Sequence, residues 1–281
     1  MKNGYILFNP ISGTGLNEEN LAHLGQEMDA NLTRMNVTEI KDYAALFATI
    51  RPDEILVVAG GDGTLNHFAN NVDGLALPCP VYFYPCGSGN DFARDCDREK
   101  MCRPFEITDY LKDLPTVEVK GRKYRFINGV GFGIDGYCCE IGDEMRKVPG
   151  KKVNYTAIAI KGLLFDYVPT DAVVTVDGVR HEFKKAWLAP AMFGRFYGGG
   201  MLPAPEQNRQ KQELSVMVFH GSGKLRTLMI FPGIFKGSHI KKEKFVKVLT
   251  GKEITVEFAQ PRPLQVDGET ILNVRSYTAR R

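Results

Sequence analysis

The sequence is poor in the residues that build disulfide frameworks and zinc sites. Its six cysteines, at 79, 86, 96, 102, 138 and 139, form no CxxC pair, and none of its five histidines stands at ligand spacing from them. A zinc site needs clustered thiolate or imidazole donors. The pattern reads instead as reduced thiols in a cytosolic setting. Long apolar runs are also missing. Ile55–Gly60 and Ala157–Ile160 fall far short of the roughly 20 residues that span a bilayer. The opening "MKNGYILFNPISG" has one lysine and a short apolar run that enters a turn, so it is expected to be a first strand rather than a signal peptide. A cytoplasmic location follows as an expectation. Charge of one sign is lacking too: 36 basic against 33 acidic residues leave +3, which gives no case for a nucleic-acid partner. There is no fixed-period repeat and no low-complexity linker.

What is present is ordinary globular composition, 43% hydrophobic and 25% charged, in two textures. The first part alternates strand, loop and helix. "GYILFNP", "NVTEI", "EILVVAG" and "PVYFYPCG" read as strands. Leu21, Leu24 and Met28 are spaced for one helical face, and "DYAALFATI", "TLNHFANNV" and "NDFARDC" read as further helices. Near-continuous apolar strands between amphipathic helices predict a parallel sheet covered on both faces. After about residue 115 the segments become short and β-branched, with Asp177-Gly178 and Asp267-Gly268 as hairpin signals. Helical stretches, "YTAIAIKGLLFDY" and one near "KLRTLMIFPGIFKG", interrupt this β-rich half. The expected domains are residues 1–117, α/β, and 118–269, mostly antiparallel β. The last strand, about 270–281, is a candidate to return to the first domain.

Three glycine-rich loops leave strands at one edge of the expected parallel sheet, where ligands of such sheets bind. In "GGDGT", Gly60, Gly61 and Gly63 leave backbone N–H groups uncovered, and a helix beginning near Thr64 adds its positive end. That combination binds phosphate. Asp62 would repel phosphate unless a cation bridges them, as Mg²⁺ does. "PCGSGND" repeats the logic with Gly87, Ser88, Asn90 and Asp91, and "NPISGTG" contributes Asn9, Ser12 and Gly13. Each loop alone also fits a tight turn with a capping side chain. "GFGIDG", Gly131–Gly136, matches GxGxxG but lies in the β-rich half, without the βαβ context a dinucleotide fingerprint requires.

Taken in order, "NPISG", Thr38 in "NVTEI", "GGDGTLN", "PCGSGNDFAR", "FINGVGFGIDG" and "VDGE" resemble bacterial lipid kinases with a diacylglycerol kinase catalytic domain, relatives of sphingosine and ceramide kinases. The resemblance covers nearly the whole length. It implies a phosphofructokinase-like three-layer α/β domain, a C-terminal β-sandwich, an active site between them, and ATP with Mg²⁺. It implies that Asn9, Ser12, Thr38, Gly61–Asn66 and Ser88 contact ATP. Asp62 would stand near catalytic Mg²⁺, assisted by Asp91 and Glu118, and Glu269 would be the active-site acid/base. Without the resemblance, Glu269 reads only as an exposed residue beside a turn.

The acceptor implied is a diacylglycerol-like lipid, so the protein is expected to dock peripherally on a membrane. Lys147, Lys151, Lys152, Lys236, Lys241, Lys242, Lys244 and Lys247 flank apolar segments, and "FGRFYGGGMLP" offers aromatics in a glycine-rich loop. A homodimer is one assembly the sequence allows. Two readings compete with a lipid kinase: an NAD kinase, and a nucleotide- or lipid-binding regulator without turnover. The second is suggested by two departures from the family. His67 follows "GGDGTLN" where Glu is usual. "PEQNRQKQELSV" has Gln210 and Gln212 where a structural magnesium site would have acids, and amides are poor substitutes for carboxylates around a hard cation. Crystals soaked in magnesium chloride should therefore show no full-occupancy ion at residues 207–214, and finding one would contradict this reading.

Overall fold

The computed structural model describes residues 2–10, 18–148 and 153–281. The chain divides into two compact units, Met1–Leu114 and Pro115–Arg281.

The first unit is built from β1 (Lys2–Phe8), α1 (Glu18–Glu27), β2 (Ala30–Asn36), α2 (Tyr43–Phe47), β3 (Ile55–Gly60), α3 (Asp62–Asn71), β4 (Val81–Pro85), α4 (Asp91–Asp95), β5 (Phe105–Glu106) and α5 (Thr108–Lys112). The strands lie in the order β2-β1-β3-β4-β5. The first four are parallel, and β5 runs antiparallel on the edge. β3 is buried along its whole length, as a central parallel strand covered on both faces must be. From β1 the chain passes to β2 on one side and to β3 on the other, so the strand order reverses between β1 and β3. Such a reversal is where open α/β sheets bind ligands. The second strand is Ala30–Asn36 and not "NVTEI". Its edge position buries only part of one face, so its sequence, ANLTRMN, lacks an apolar run. Past it the chain turns, with Glu39 N–H donating to Asn36 O.

The second unit contains β6 (Thr116–Val119), β7 (Arg122–Arg125), β8 (Gly129–Phe132), α6 (Ile134–Arg146), α7 (Tyr155–Lys161), a π-helical turn (Gly162–Asp166), β9 (Thr170–Val176), β10 (Val179–Ala186), β11 (Ala191–Met192), β12 (Leu214–Phe219), α8 (Lys224–Ile230), 3-10 turns at Phe231–Lys236 and Ser238–Lys241, β13 (Val246–Gly251), β14 (Glu253–Val266) and β15 (Glu269–Arg280). All strand pairs are antiparallel. The main path is β13-β12-β11-β8-β14-β15-β6-β7, with β9 and β10 branching from β14. The branch has a local cause. The first half of β14 pairs with β9 and the second half with β8, and the register shifts between them around Pro261 and Pro263. Proline cannot donate to a ladder, so the irregularity falls where donors are missing. The last strand, β15, pairs with β14 and β6; it stays in the second unit and does not return to the first.

β8 feeds through Gly133 (φ +115°) into α6. This strand-turn-helix explains the GxGxxG match, but the neighbours of β8 are antiparallel. The glycines serve packing: a Cβ on Gly136 would lie 2.0 Å from Pro263 O, and one on Gly131 2.0 Å from Asp135 Oδ2. Asp135 sits buried in the first turn of α6. Its carboxylate accepts from Gly136 N–H (2.9 Å) and the Tyr197 hydroxyl (3.1 Å). All six cysteines are free, and burial pushes Cys79 and Cys86 up to about 11.

Burial pushes the Asp135 carboxyl up to about 6, against those two hydrogen bonds, which pull it down. The folded value lies above the unfolded one. The carboxyl's favourable contribution is therefore complete at acid pH and is lost as pH rises through about 6, a swing of about 3 kcal/mol. Asp135→Asn should remove this dependence. In urea titrations at pH 4.5 and 7.5 the variant should gain on the wild type at the higher pH, and an equal difference at both would contradict the assignment.

Candidate functional site

The carboxyl ends of β1 to β4 carry the residues singled out in the sequence. Asn9 follows β1. Thr38 follows β2, its N–H and hydroxyl both donating to Asn36 Oδ1 (3.0 and 2.8 Å). Val37 N–H donates to Phe8 O (3.0 Å), which ties this turn to the end of β1. Ser12 and Gly13 lie outside the described residues.

The two remaining loops form one object. Cys86 and Gly87 N–H both donate to Gly60 O (2.9 and 3.1 Å). A Cβ on Gly87 would lie 2.2 Å from Gly61 Cα, so the backbones touch at a distance only two glycines permit. Gly60 is needed for a different reason. A Cβ there would meet the buried Thr64 side chain at 2.6 Å. Asn90, at φ +55°, closes the second loop by accepting from Gly87 N–H and donating to Gly87 O (2.9 and 2.8 Å).

Asp62 joins the loops from the other side. Its two carboxylate oxygens accept from the N–H groups of Asp91 and Phe92 (2.9 and 2.8 Å), at the first turn of α4. An acidic group there is favoured by the helix's free donors and dipole. Asp91 is buried, and Arg94 donates to its Oδ1 at 3.2 Å. α3 begins at Asp62, two residues before Thr64. Its N-cap is Gly61, which has no side chain to bond the first turn. A Cβ on Gly63 would meet nothing within 4 Å. Asn66 is buried and its Oδ1 accepts from Asn70 (3.2 Å), whereas His67 is exposed on α3. The edge thus presents glycine backbone, an uncapped helix start and a carboxylate, the donor set that suits a phosphate and its cation. Among the described residues, no three His, Cys, Asp or Glu side chains gather as a metal cluster. Mg²⁺ commonly takes only one or two carboxylates and fills its shell with phosphate oxygens and water, so Asp62 and Asp91 fit a cation that arrives with a nucleotide.

In the second unit, Glu269 opens β15 directly after the Asp267-Gly268 turn and is exposed. Asp267, which in the sequence reads only as a hairpin residue, is the more engaged residue. Its carboxylate accepts from the N–H groups of Ile127, Asn128 and Gly129 (2.5, 2.8 and 3.0 Å), fixing the hairpin to the "FINGV" turn. Arg209 donates to Ile127 O and to Asn128 Oδ1 at the same turn. Asp135 was also missed as an individual residue; an acid between apolar residues in "GFGIDG" was the available signal. Glu118, in β6, is held by Arg280 (3.1 Å), which also binds Glu253 (2.7 Å). The aromatics of "FGRFYGGGMLP" are not exposed. Phe193 and Tyr197 are buried and Phe196 is half-buried under Arg195, because Phe193 is stacked by Arg209 and Arg281 and Tyr197 bonds Asp135. In the stretch expected to lack a metal, the Gln207 amide donates to Phe193 O and Glu213 O (3.3 and 3.0 Å). Lys151 and Lys152 lie outside the described residues.

Comparison with known proteins agrees with this arrangement. Residues 3–114 match the diacylglycerol kinase catalytic domain, and residues 128–277 match the YegS C-terminal NAD kinase beta sandwich-like domain. A Bacillus subtilis protein named "Putative lipid kinase YtlR" is 26% identical over 76% of this chain and 73% of its own length. A Bacillus subtilis diacylglycerol kinase is 23% identical over 96% of this chain and 90% of its own. A crystal structure of a diacylglycerol kinase from Bacillus anthracis superposes with a TM-score of 0.64, at 18% identity, over all of this chain and 94% of the other. It shows the same fold. The chain belongs to the lipid kinase family that joins a diacylglycerol kinase catalytic domain to a YegS-type β-sandwich domain.

The glycine contacts predict opposite responses at two positions. Gly87→Ala drives a methyl into backbone and should cost at least about 2 kcal/mol of stability in a thermal or urea melt. Gly63→Ala points into open space on a helix and should melt at or above the wild-type temperature. Equal destabilisation of both would contradict the described loop contact.

Proposed function

We propose that the protein transfers the γ-phosphate of ATP to a hydroxyl of a diacylglycerol-like lipid. The observation that carries the reading is the Gly61–Gly87 backbone contact at the sheet edge, beside an uncapped helix start and the Asp62 carboxylate. In this reading Asn9, Ser12, Gly13, Thr38, Gly60, Gly61, Gly63, Thr64, Asn66, Gly87, Ser88 and Asn90 hold the nucleotide, with backbone N–H groups on its phosphates. Asp62 and Asp91 hold the cation, with Glu118 the further ligand that the resemblance implies. Magnesium, bound with the nucleotide, supplies neutralisation of charge on the phosphate oxygens. Glu269 accepts the proton of the acceptor hydroxyl as that oxygen bonds the γ-phosphorus and ADP departs. Work on a bilayer lipid would make this a cytoplasmic protein in peripheral contact with the membrane.

The family's naming favours lipid over NAD as acceptor, and NAD serves as the control. The test is a turnover assay with labelled ATP, Mg²⁺, a panel of dispersed lipids and NAD. Phosphorylated diacylglycerol is the expected product. Asp62→Asn and Glu269→Gln, each confirmed folded by its urea melt, should lower kcat at least about a hundredfold, and Gly63→Ala should raise the KM for ATP. Near-normal turnover in Asp62→Asn would refute the metal role. Product on NAD alone, or none on any acceptor, would refute the lipid kinase reading.

A further inference from the structure

The three most exposed large apolar side chains among the described residues lie on two elements of the second unit. Phe165 in the π-helical turn is 71% exposed, and Leu225 and Met229 on α8 are 74% and 72% exposed. Leu225 and Met229 are four residues apart, so they share a helix face. That face is turned away from the core, since Thr227 and Ile230 are the residues α8 buries. Lys224 Nζ donates to Leu164 O (3.0 Å), pinning the start of α8 to the π-helical turn. The residues that flank this contact, Phe165 and Leu225, are therefore brought to one place. Together with Met229 they form a protruding apolar ridge on a surface where single exposed residues would need no explanation but a cluster does.

The charge around the ridge is mostly basic. Residues 214–242 contain five Lys or Arg and no acid. Lys224 and Arg226 are exposed on α8, and Lys161 and Lys236 are exposed at the ends of the elements that precede the π-helical turn and follow α8. Asp166, next to Phe165 in the π-helical turn, accepts from the Tyr137 hydroxyl and pairs with Lys161 (3.7 Å). Apolar tips set among cations, with Asp166 the one acid on these two elements and paired to Lys161, complement an anionic lipid surface: the tips enter the acyl boundary and the cations stay at the headgroups. A second copy of the chain would meet the same cations with cations.

We infer that the ridge Phe165–Leu225–Met229, with its basic collar, is the surface by which the protein docks on anionic bilayers. The choice of a bilayer as occupant rests on the lipid-acceptor reading above. Of the aromatics at residues 193–203, Phe193 and Tyr197 are buried and Phe196 is half-buried, and the three ridge residues take their place.

Sedimentation of the full chain with phosphatidylcholine vesicles, with and without phosphatidylglycerol, tests this. Binding should require phosphatidylglycerol and weaken with salt. The triple variant Phe165→Ser/Leu225→Ser/Met229→Ser should bind at least about tenfold more weakly. It removes only solvent-exposed apolar groups, and Lys236→Glu is a second variant that leaves the ridge intact and should also weaken binding. Turnover on detergent-dispersed lipid separates the two readings. If the variants lose vesicle binding and vesicle turnover but keep dispersed-lipid turnover, docking is a property of this surface. If vesicles bind as described and no lipid is ever phosphorylated, the docking surface stands and the kinase reading falls. Wild-type binding in the triple variant would overturn the inference. So would indifference to phosphatidylglycerol, or light scattering that shows a dimer which the triple variant dissociates.

Discussion

The first unit depends on the joining of two loops by a contact that only glycine allows. Gly61 and Gly87 bring the ends of β3 and β4 together backbone to backbone, and Asp62 locks the arrangement by accepting two N–H groups at the start of α4. The same carboxylate that suits a metal therefore also positions the second loop. In the proposed reaction this carboxylate would tie a cation's location to the geometry of the glycine cradle, which is what positioning catalysis of phosphoryl transfer requires.

Asp-Gly pairs recur as staples in the second unit. Asp177, in the β9–β10 turn, accepts from Lys252 and Glu253 N–H. Asp267, in the β14–β15 turn, accepts from three successive N–H groups at residues 127–129. In each the Asp and Gly both take positive φ, the backbone of a tight hairpin. Asp62 differs in its surroundings: it opens a helix at the carboxyl edge of a parallel sheet, and Gly63 beside it faces open space. A staple that closes a hairpin is spent on structure, whereas one at a sheet edge still borders a place for a ligand.

The central strands, the hairpin turns and the glycine loops were legible because their signals are local: apolar runs, positive-φ residues and helix starts. β2 was missed because an edge strand needs only partial burial, and "NVTEI" mimicked it. The aromatics at 193–197 stand in the sequence as a lipid contact because what covers them, Arg209, Arg281 and Asp135, is distant in sequence. Asp135 and Asp267 were invisible as individuals for the same reason: their partners are set by tertiary contacts. The exposed ridge was hidden inside stretches that read simply as helices, since periodicity shows that a face is apolar but not whether the protein covers it.

The central claim is that residues 60–66 and 86–92 form a single cradle for a nucleotide's phosphates. Hydrogen exchange of the full chain with and without magnesium and ATP addresses it directly. The account predicts that amides of both segments slow together on addition of nucleotide. Protection confined to one segment, or to neither, would contradict it.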